Sequence, residues 1–266
     1  MFGFISIHNR LFMTFPVYIR LFGLQLHPHL LFESLGYTLG FLVFRILRRR
    51  QGDPVPQSIR WSAIAGAAVG AVVGSKVLYW LEDPRMIIAH WRDFQVLWGG
   101  KTIVGGLLGG LIAVEWVKRS MQFTSRTGDL FAVPLCVGIA IGRIGCFLTG
   151  LGDDTYGSPT SLPWGVNFGD GIPRHPAQVY DIVFLLLLAC ALLVVMRRPH
   201  VQGDVFKMFM VGYNGWRLAI DFIKPDPRFW GMNSIQWVCL AVLLFYSGDI
   251  RRWLRPAPSD IQVQNI

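Results

Sequence analysis

Charge is what this chain has least of. Asp, Glu, Lys and Arg together make up 15% of its 266 residues, where a water-soluble domain carries roughly a quarter, and that shortage excludes an ordinary soluble fold. Acids are scarcer than bases, 16 against 25. Cysteine is sparse as well: Cys136, Cys146, Cys190 and Cys239 are the four, none in a CxxC pair, so neither a disulfide framework nor a metal site is indicated by spacing. No internal repeat is visible, which argues against a transporter built from inverted halves. No linker or appended soluble domain breaks the chain, and 1–266 reads as a single integral membrane domain.

What replaces charge is apolar sequence. Hydrophobic residues reach 53% and the mean hydropathy is +0.44. They are bunched in runs of roughly twenty, the length that crosses a bilayer core as a helix. The runs predict an all-α polytopic membrane helix bundle of about seven transmembrane helices over 28–47, 59–81, 103–118, 129–148, 178–196, 205–223 and 232–250. Ahead of them, 1–27 is interrupted by His8, Asn9, Arg10, Pro16 and Arg20. It lacks the unbroken apolar stretch of a cleavable signal and reads as an interfacial segment.

The net charge of +9 does not point to nucleic acid, because of where it lies. Arg48, Arg49, Arg50 and Arg60 flank the first connection, Lys118, Arg119 and Arg126 the third, Arg197 and Arg198 the fifth, and Arg251, Arg252 and Arg255 the C-terminus. The other connections mix acids with their bases. That alternation is the positive-inside pattern; it predicts an external N-terminus, a cytoplasmic C-terminus and an external loop over 151–177. The loop is rich in Gly, Pro, Asp and Ser, and a loop of this length is more often functional than a spacer.

The third span opens with GGKTIVGGLLGG. It is no phosphate-cradling P-loop, because Gln95 stands where that motif needs glycine. Gly105/Gly109 and Gly106/Gly110 each repeat at four residues, which lets a neighbouring backbone approach one helix face. Charged side chains inside a span cost at least about 2.5–3.5 kcal/mol, so each is a site candidate. Glu33, Lys76, Arg143, Arg217 and Asp221 qualify. On the sixth span Tyr213, Arg217 and Asp221 form one polar stripe. Arg143 has no acid within a turn of its own helix, so its partner comes from another helix or is an anionic ligand. Two membrane arginines suggest a phosphate, which the guanidinium fork fits bidentately. In a bilayer that phosphate is a phospholipid headgroup.

At these residues the chain resembles the bacterial prolipoprotein diacylglyceryl transferases, from about Leu21 to Arg252. The resemblance is carried by GGKTIVGGLLGG, GRIGCF, IPRHPAQVYD and GYNGWRLAIDF in that order. It implies a multi-pass protein of the bacterial cytoplasmic (inner) membrane. The implied reaction transfers the diacylglyceryl group of phosphatidylglycerol to a cysteine thiol of a lipoprotein precursor, with no cofactor and no metal. Arg143 and Arg217 match the family's headgroup arginines, and Lys76 stands where an arginine is usual. Tyr213 and Asp221 match the tyrosine and acid around the second arginine. Arg174, His175, Gln178 and Tyr180 match its R-H-P-x-Q-x-Y segment.

The departures from the family pattern are specific. The position of the histidine often proposed as the base is Val104, that of an asparagine is Cys146, and a first-helix tyrosine becomes Glu33. His175 is then one candidate base, or a loop-fixing residue. Glu33 is another, or a packing charge paired with Lys76 or Arg143. Asp153 and Asp154 would receive a cationic acceptor or simply be solvated. His27, His29 and the other remaining histidines receive no role. Two further readings stay open: a diverged relative using another acceptor, and a non-catalytic phospholipid-binding protein.

Overall fold

The structure is a computed structural model that describes residues 5–7, 10–12, 14–21, 23–53 and 55–255. The chain is mostly helical. The first helix, α1 (Pro28–Gln51), starts on a proline whose missing N–H costs nothing at that position, and ends in Arg48, Arg49 and Arg50 before Gly52 at φ 75°. Next come α2 (Gln57–Glu82) and two short helices, α3 (Pro84–Ala89) and α4 (Phe94–Gly99). Asp83 and Asp93 cap those two by accepting from Met86 N and Gln95 N. Thr102 does the same for Gly105 N at the start of α5 (Ile103–Ser120). The chain continues through α6 (Asp129–Thr149), a 3-10 turn at Gly150–Asp153, α7 (Ala177–Met196), α8 (Asp204–Ile220) with a 3-10 turn at Asp221–Ile223, α9 (Ser234–Phe245) and α10 (Ser247–Leu254).

Four of these helical segments are long and apolar enough to cross a membrane: Pro28–Gln51, Gln57–Glu82, Asp129–Asp153 and Ala177–Met196. The other expected spans form helices too, but differ for physical reasons. The helix α8 carries Lys207, Asn214 and Arg217 within 17 residues. The expected 232–250 span divides at Tyr246, whose N–H takes the Leu244 and Val242 carbonyls, leaving a 12-residue apolar helix before α10. The outward faces are apolar: Val69, Val73, Ile112, Trp116, Leu187 and Phe245 are all exposed, as expected of surfaces that meet lipid rather than water.

Small antiparallel ladders decorate the bundle. Ile19–Leu21 pairs with Leu24–Leu26 ahead of α1, and Val166–Asn167 with Pro173–Arg174 in the 151–177 loop. Within the expected interfacial segment, residues 1–4, 8–9, 13 and 22 lie outside the described part. Its described end is tied to α6: Val17 N donates to Leu148 O at 2.9 Å, and the Phe15 ring meets Phe147 and Phe168 edge-on at 5.9 and 5.1 Å. Phe168, almost fully buried, thereby anchors the loop over the same end of α6.

The glycines of the third span do what their spacing suggests. Cβ atoms added at Gly105 and Gly109 would collide with the carbonyl oxygens of Gly74 and Gly70, and the reverse substitutions would collide as well. Between helices in lipid, where burial supplies no driving force, such backbone contact is a main source of association. The second glycine pair faces looser surroundings, since a Cβ on Gly106 would meet nothing nearer than Ala71 O at 3.6 Å. Gly109→Val should therefore destabilise the α2–α5 pair by about 1–3 kcal/mol or more, while Gly106→Ala is tolerated. Thermal unfolding of the two variants in detergent checks this contrast.

Candidate functional site

Arg143 faces inward from α6 and finds its acid on the next helix. Its Nε lies 2.9 Å from Asp181 Oδ2, on the first turns of α7, and both side chains are buried. Arg217 of α8 approaches the same oxygen, with Nη1 at 4.0 Å. The other Asp181 oxygen accepts from Trp216 Nε1 at 2.7 Å. Arg217 Nη2 also pairs with Asp221 one turn on, at 2.8 Å, and Lys224 Nζ stands 3.6 Å from that carboxylate. The two arginines thus meet in one buried polar cluster, with Asp181 between them.

The cluster is not saturated. Arg217 Nε and Nη1, Tyr213 Oη and Asn214 Oδ1 are buried without a hydrogen-bond partner, and Arg143 Nε, although close to Asp181, is off the line of a hydrogen bond. Each such buried group costs about 1–3 kcal/mol. An anion with several oxygens accepting from Arg217 Nε and Nη1 and from Tyr213 Oη would remove that cost for those three donors, while Asn214 Oδ1 can only accept. Tyr213 is held flat by Phe209, ring centroids 6.0 Å apart, and Trp216 by Phe184 at 4.5 Å, so the donors are pre-oriented.

The loop residues lie nearby but do other work. Arg174 pairs with Asp170 at 2.5 Å and lies over the Tyr156 ring at 5.0 Å; the hydrogen bond from its guanidinium holds the Asp170 carboxyl below the usual range. Tyr180 Oη accepts from Trp164 Nε1 at 2.7 Å and lies 3.3 Å from His175 Nδ1. His175 also exchanges backbone hydrogen bonds with Gly157 and Ser158, so its present contacts fix the loop. Gln178 is fully buried; its Nε2 donates to Thr155 Oγ1 at 3.1 Å.

Lys76 and Glu33 make their contacts away from the two arginines. Lys76 Nζ donates to Gly100 O and Trp98 O, both at 2.5 Å, satisfying carbonyls where α4 meets α5, and none of these contacts involves either arginine. Glu33 pairs with neither Lys76 nor Arg143. Its partners are Lys101 Nζ at 2.5 Å, His29 Nε2 at 3.4 Å and Tyr37 Oη at 3.0 Å.

Sequence reasoning missed Asp181, Lys224 and His29. Asp181 sits inside IPRHPAQVYD, yet its partners are on other helices, which spacing along one helix cannot reveal. In sequence His29 reads as one of the terminal or interfacial histidines. It stands beside Asp153 Oδ1 at 2.8 Å, and together with Cys146 these residues bring their donor atoms within 4.8 Å of one another. A cavity of about 420 Å³ lined by Arg45, Arg48, Arg49 and Asp53 lies at the far end of α1 and includes none of these groups.

Known proteins resemble this chain in sequence. The family described as prolipoprotein diacylglyceryl transferase matches residues 16–248. The chain belongs to that family. Among its relatives, the phosphatidylglycerol–prolipoprotein diacylglyceryl transferase of Bordetella bronchiseptica is 30% identical over 250 residues, covering 88% of this chain and 93% of its own. That of Cupriavidus pinatubonensis is 32% identical, covering 86% and 85%, and that of Clostridium tetani 31%, covering 80% and 86%. In this diacylglyceryl transferase family member the two arginines converge on Asp181, while Val104, where the resemblance expects a histidine, is a buried core residue.

Proposed function

We propose that the chain transfers the diacylglyceryl group of phosphatidylglycerol to the cysteine thiol of a lipoprotein precursor, the donor and acceptor that its relatives' names state. The observation that carries this reading is the convergence of Arg143 and Arg217 on Asp181 with buried donors left unpartnered. In the reaction the acceptor sulfur forms a bond to the glyceryl carbon. The carbon–oxygen bond to phosphate breaks, and glycerol phosphate departs with the electron pair. Cations placed where that charge gathers lower the barrier. In this reading Arg143 and Arg217 bind the phosphate, and Tyr213 and Asp221 orient the second arginine. Arg174, His175, Gln178 and Tyr180 shape the loop that meets the acceptor.

The same reading places the protein across a bacterial inner membrane in about seven spans, with its N-terminus outside, its C-terminus in the cytoplasm and the 151–177 loop external. The purified protein, given labelled phosphatidylglycerol and a lipoprotein-precursor peptide, should release glycerol phosphate and make the peptide heavier by the diacylglyceryl group. Release with an unmodified peptide would assign a different acceptor. Binding without release would leave only a headgroup clamp.

Lys224, just beyond the span containing Arg217, gives a pH test. Burial pushes its ammonium down from about 10.5 to about 8, with the Arg217 charge acting in the same direction. Headgroup binding should weaken as pH rises through about 8, because a cation of the cluster is lost there. The unliganded protein should show the opposite trend in stability. Its folded lysine binds fewer protons than the unfolded one between about 8 and 10.5, so stability rises with pH in that window. Lys224→Arg should flatten both profiles, as read by phosphatidylglycerol titration and thermal unfolding across pH.

A further inference from the structure

Apart from the arginine cluster, a second group of side chains is assembled among the described residues. It brings together His29 from the start of α1, Cys146 from the last turn of α6, and Asp153 from the 3-10 turn after it. The imidazole, thiol and carboxylate donor atoms all lie within 4.8 Å of one another. Ligands of a tetrahedral zinc sit about 3–4 Å apart, given bond lengths of about 2.0–2.3 Å. Small side-chain movements would therefore bring all three onto one ion.

The surroundings also have the form of a metal site. A metal-bound histidine characteristically donates its second ring nitrogen to a carboxylate, and the nitrogen of His29 that faces away from Asp153 lies 3.4 Å from Glu33. Glu33 is in turn fixed by Lys101 at 2.5 Å and Tyr37 at 3.0 Å. Asp153 presents Oδ1 to His29, while its Oδ2 accepts from Thr155 Oγ1 at 2.9 Å, and Thr155 is held by Gln178 at 3.1 Å. His29 Nδ1 is buried and makes no hydrogen bond, despite its 2.8 Å approach to Asp153.

We propose that His29, Cys146 and Asp153 bind a zinc ion with one open coordination position, and that this position takes the acceptor's cysteine thiolate. One thiolate, one imidazole and one carboxylate form a donor set suited to zinc, and three protein ligands with a vacant fourth place mark catalytic rather than structural zinc. A thiol that coordinates zinc gives up its proton, so no histidine base is needed at position 104. The identity of the fourth ligand rests on the transfer proposed above; the metal site does not. On coordination the acceptor's S–H proton passes to solvent. The thiolate sulfur then bonds to the glyceryl carbon, the carbon–oxygen bond breaks, and its electron pair leaves on glycerol phosphate, with no change in the oxidation state of zinc. Arg143 Nη1 lies 3.8 Å from Cys146 Sγ, which sets the nucleophile's site directly beside the headgroup arginines.

The test uses Co2+ as a spectroscopic probe on full-length protein stripped with a chelator in detergent. One Co2+ per chain should bind, with the intense visible bands of a tetrahedral ion and a near-ultraviolet thiolate band. Cys146→Ser should lose the near-ultraviolet band, whereas Cys190→Ser, which alters an exposed cysteine, should keep it. His29→Ala and Asp153→Asn should each weaken binding more than tenfold, and Glu33→Gln by about 10- to 100-fold. A precursor peptide with its cysteine should strengthen the thiolate band, and the same peptide with serine should not. Absence of stoichiometric Co2+ in monodisperse wild-type protein, or a thiolate band surviving Cys146→Ser, overturns the inference, as does a band indifferent to the cysteine peptide. Transfer that continues in chelator overturns the zinc site and leaves the transfer reading standing. A cobalt site that answers the peptide in a protein releasing no glycerol phosphate keeps the site and refutes the transfer.

Discussion

Arg217→Ala should lower turnover of phosphatidylglycerol by about 10²–10³-fold, the scale seen when a buried donor to a developing anion is removed. The geometry makes this the larger of the two arginine effects. Arg217 holds the unpartnered Nε and Nη1 groups, and its Nη2 is already fixed on Asp221 at 2.8 Å, so its free donors point where a phosphate oxygen would enter. The alanine variant also leaves Asp221, which has no exposed surface, with Lys224 at 3.6 Å as its remaining cation. Its activity should therefore be read alongside Arg217→Lys, which keeps the charge but loses the fork. If lysine restores folding but not glycerol phosphate release, the guanidinium geometry carries the effect. Full release from both variants would remove Arg217 from the site. Arg143→Ala should follow the same pattern.

The second large effect is expected at Asp181. Asp181→Ala leaves Arg143 and Arg217 buried with their shared counter-charge gone, and breaking a buried pair in this way costs about 3–5 kcal/mol. Trp216 loses its acceptor as well. Thermal unfolding in detergent should show the loss. Added anionic phospholipid should recover more stability in Asp181→Ala than in the wild type, because the phosphate then supplies the only negative charge between the two arginines. Equal stabilisation of both proteins would place the headgroup elsewhere. Asp181→Asn separates charge from shape: it can still accept from Trp216 but neutralises neither arginine.

Much of the fold could be read from the sequence because bilayer crossing imposes a strong rule. Runs of about twenty apolar residues mark their own length, and the helices begin and end within a few residues of the expected spans. The division at Tyr246 escaped notice because Val242, Leu244 and Tyr246 are equally apolar whether or not the helix is continuous. Within the site, the Arg217–Asp221 pair was readable because i,i+4 neighbours share a helix face. Asp181 was not, since its partners belong to α6 and α8 and no periodicity on α7 encodes them. Lys76 shows a related limit, since depth in a span says nothing of direction around it. Its ammonium serves the carbonyls of Trp98 and Gly100. His29, Cys146 and Asp153 come from two helices and a turn distant in sequence, so only the fold brings them together.

Asp181 also sets the electrical balance that a lipid must meet. Within the ion-paired set alone, Arg143, Arg217 and Lys224 are opposed by Asp181 and Asp221, leaving a single unit of positive charge. One phosphodiester, which is a monoanion, would bring that set to neutrality if it binds there as proposed. The departing glycerol phosphate is a monoester with nearly two negative charges at neutral pH, so it would tip the same set to net negative. An arrangement tuned to hold the substrate is therefore one that helps to expel what the substrate becomes.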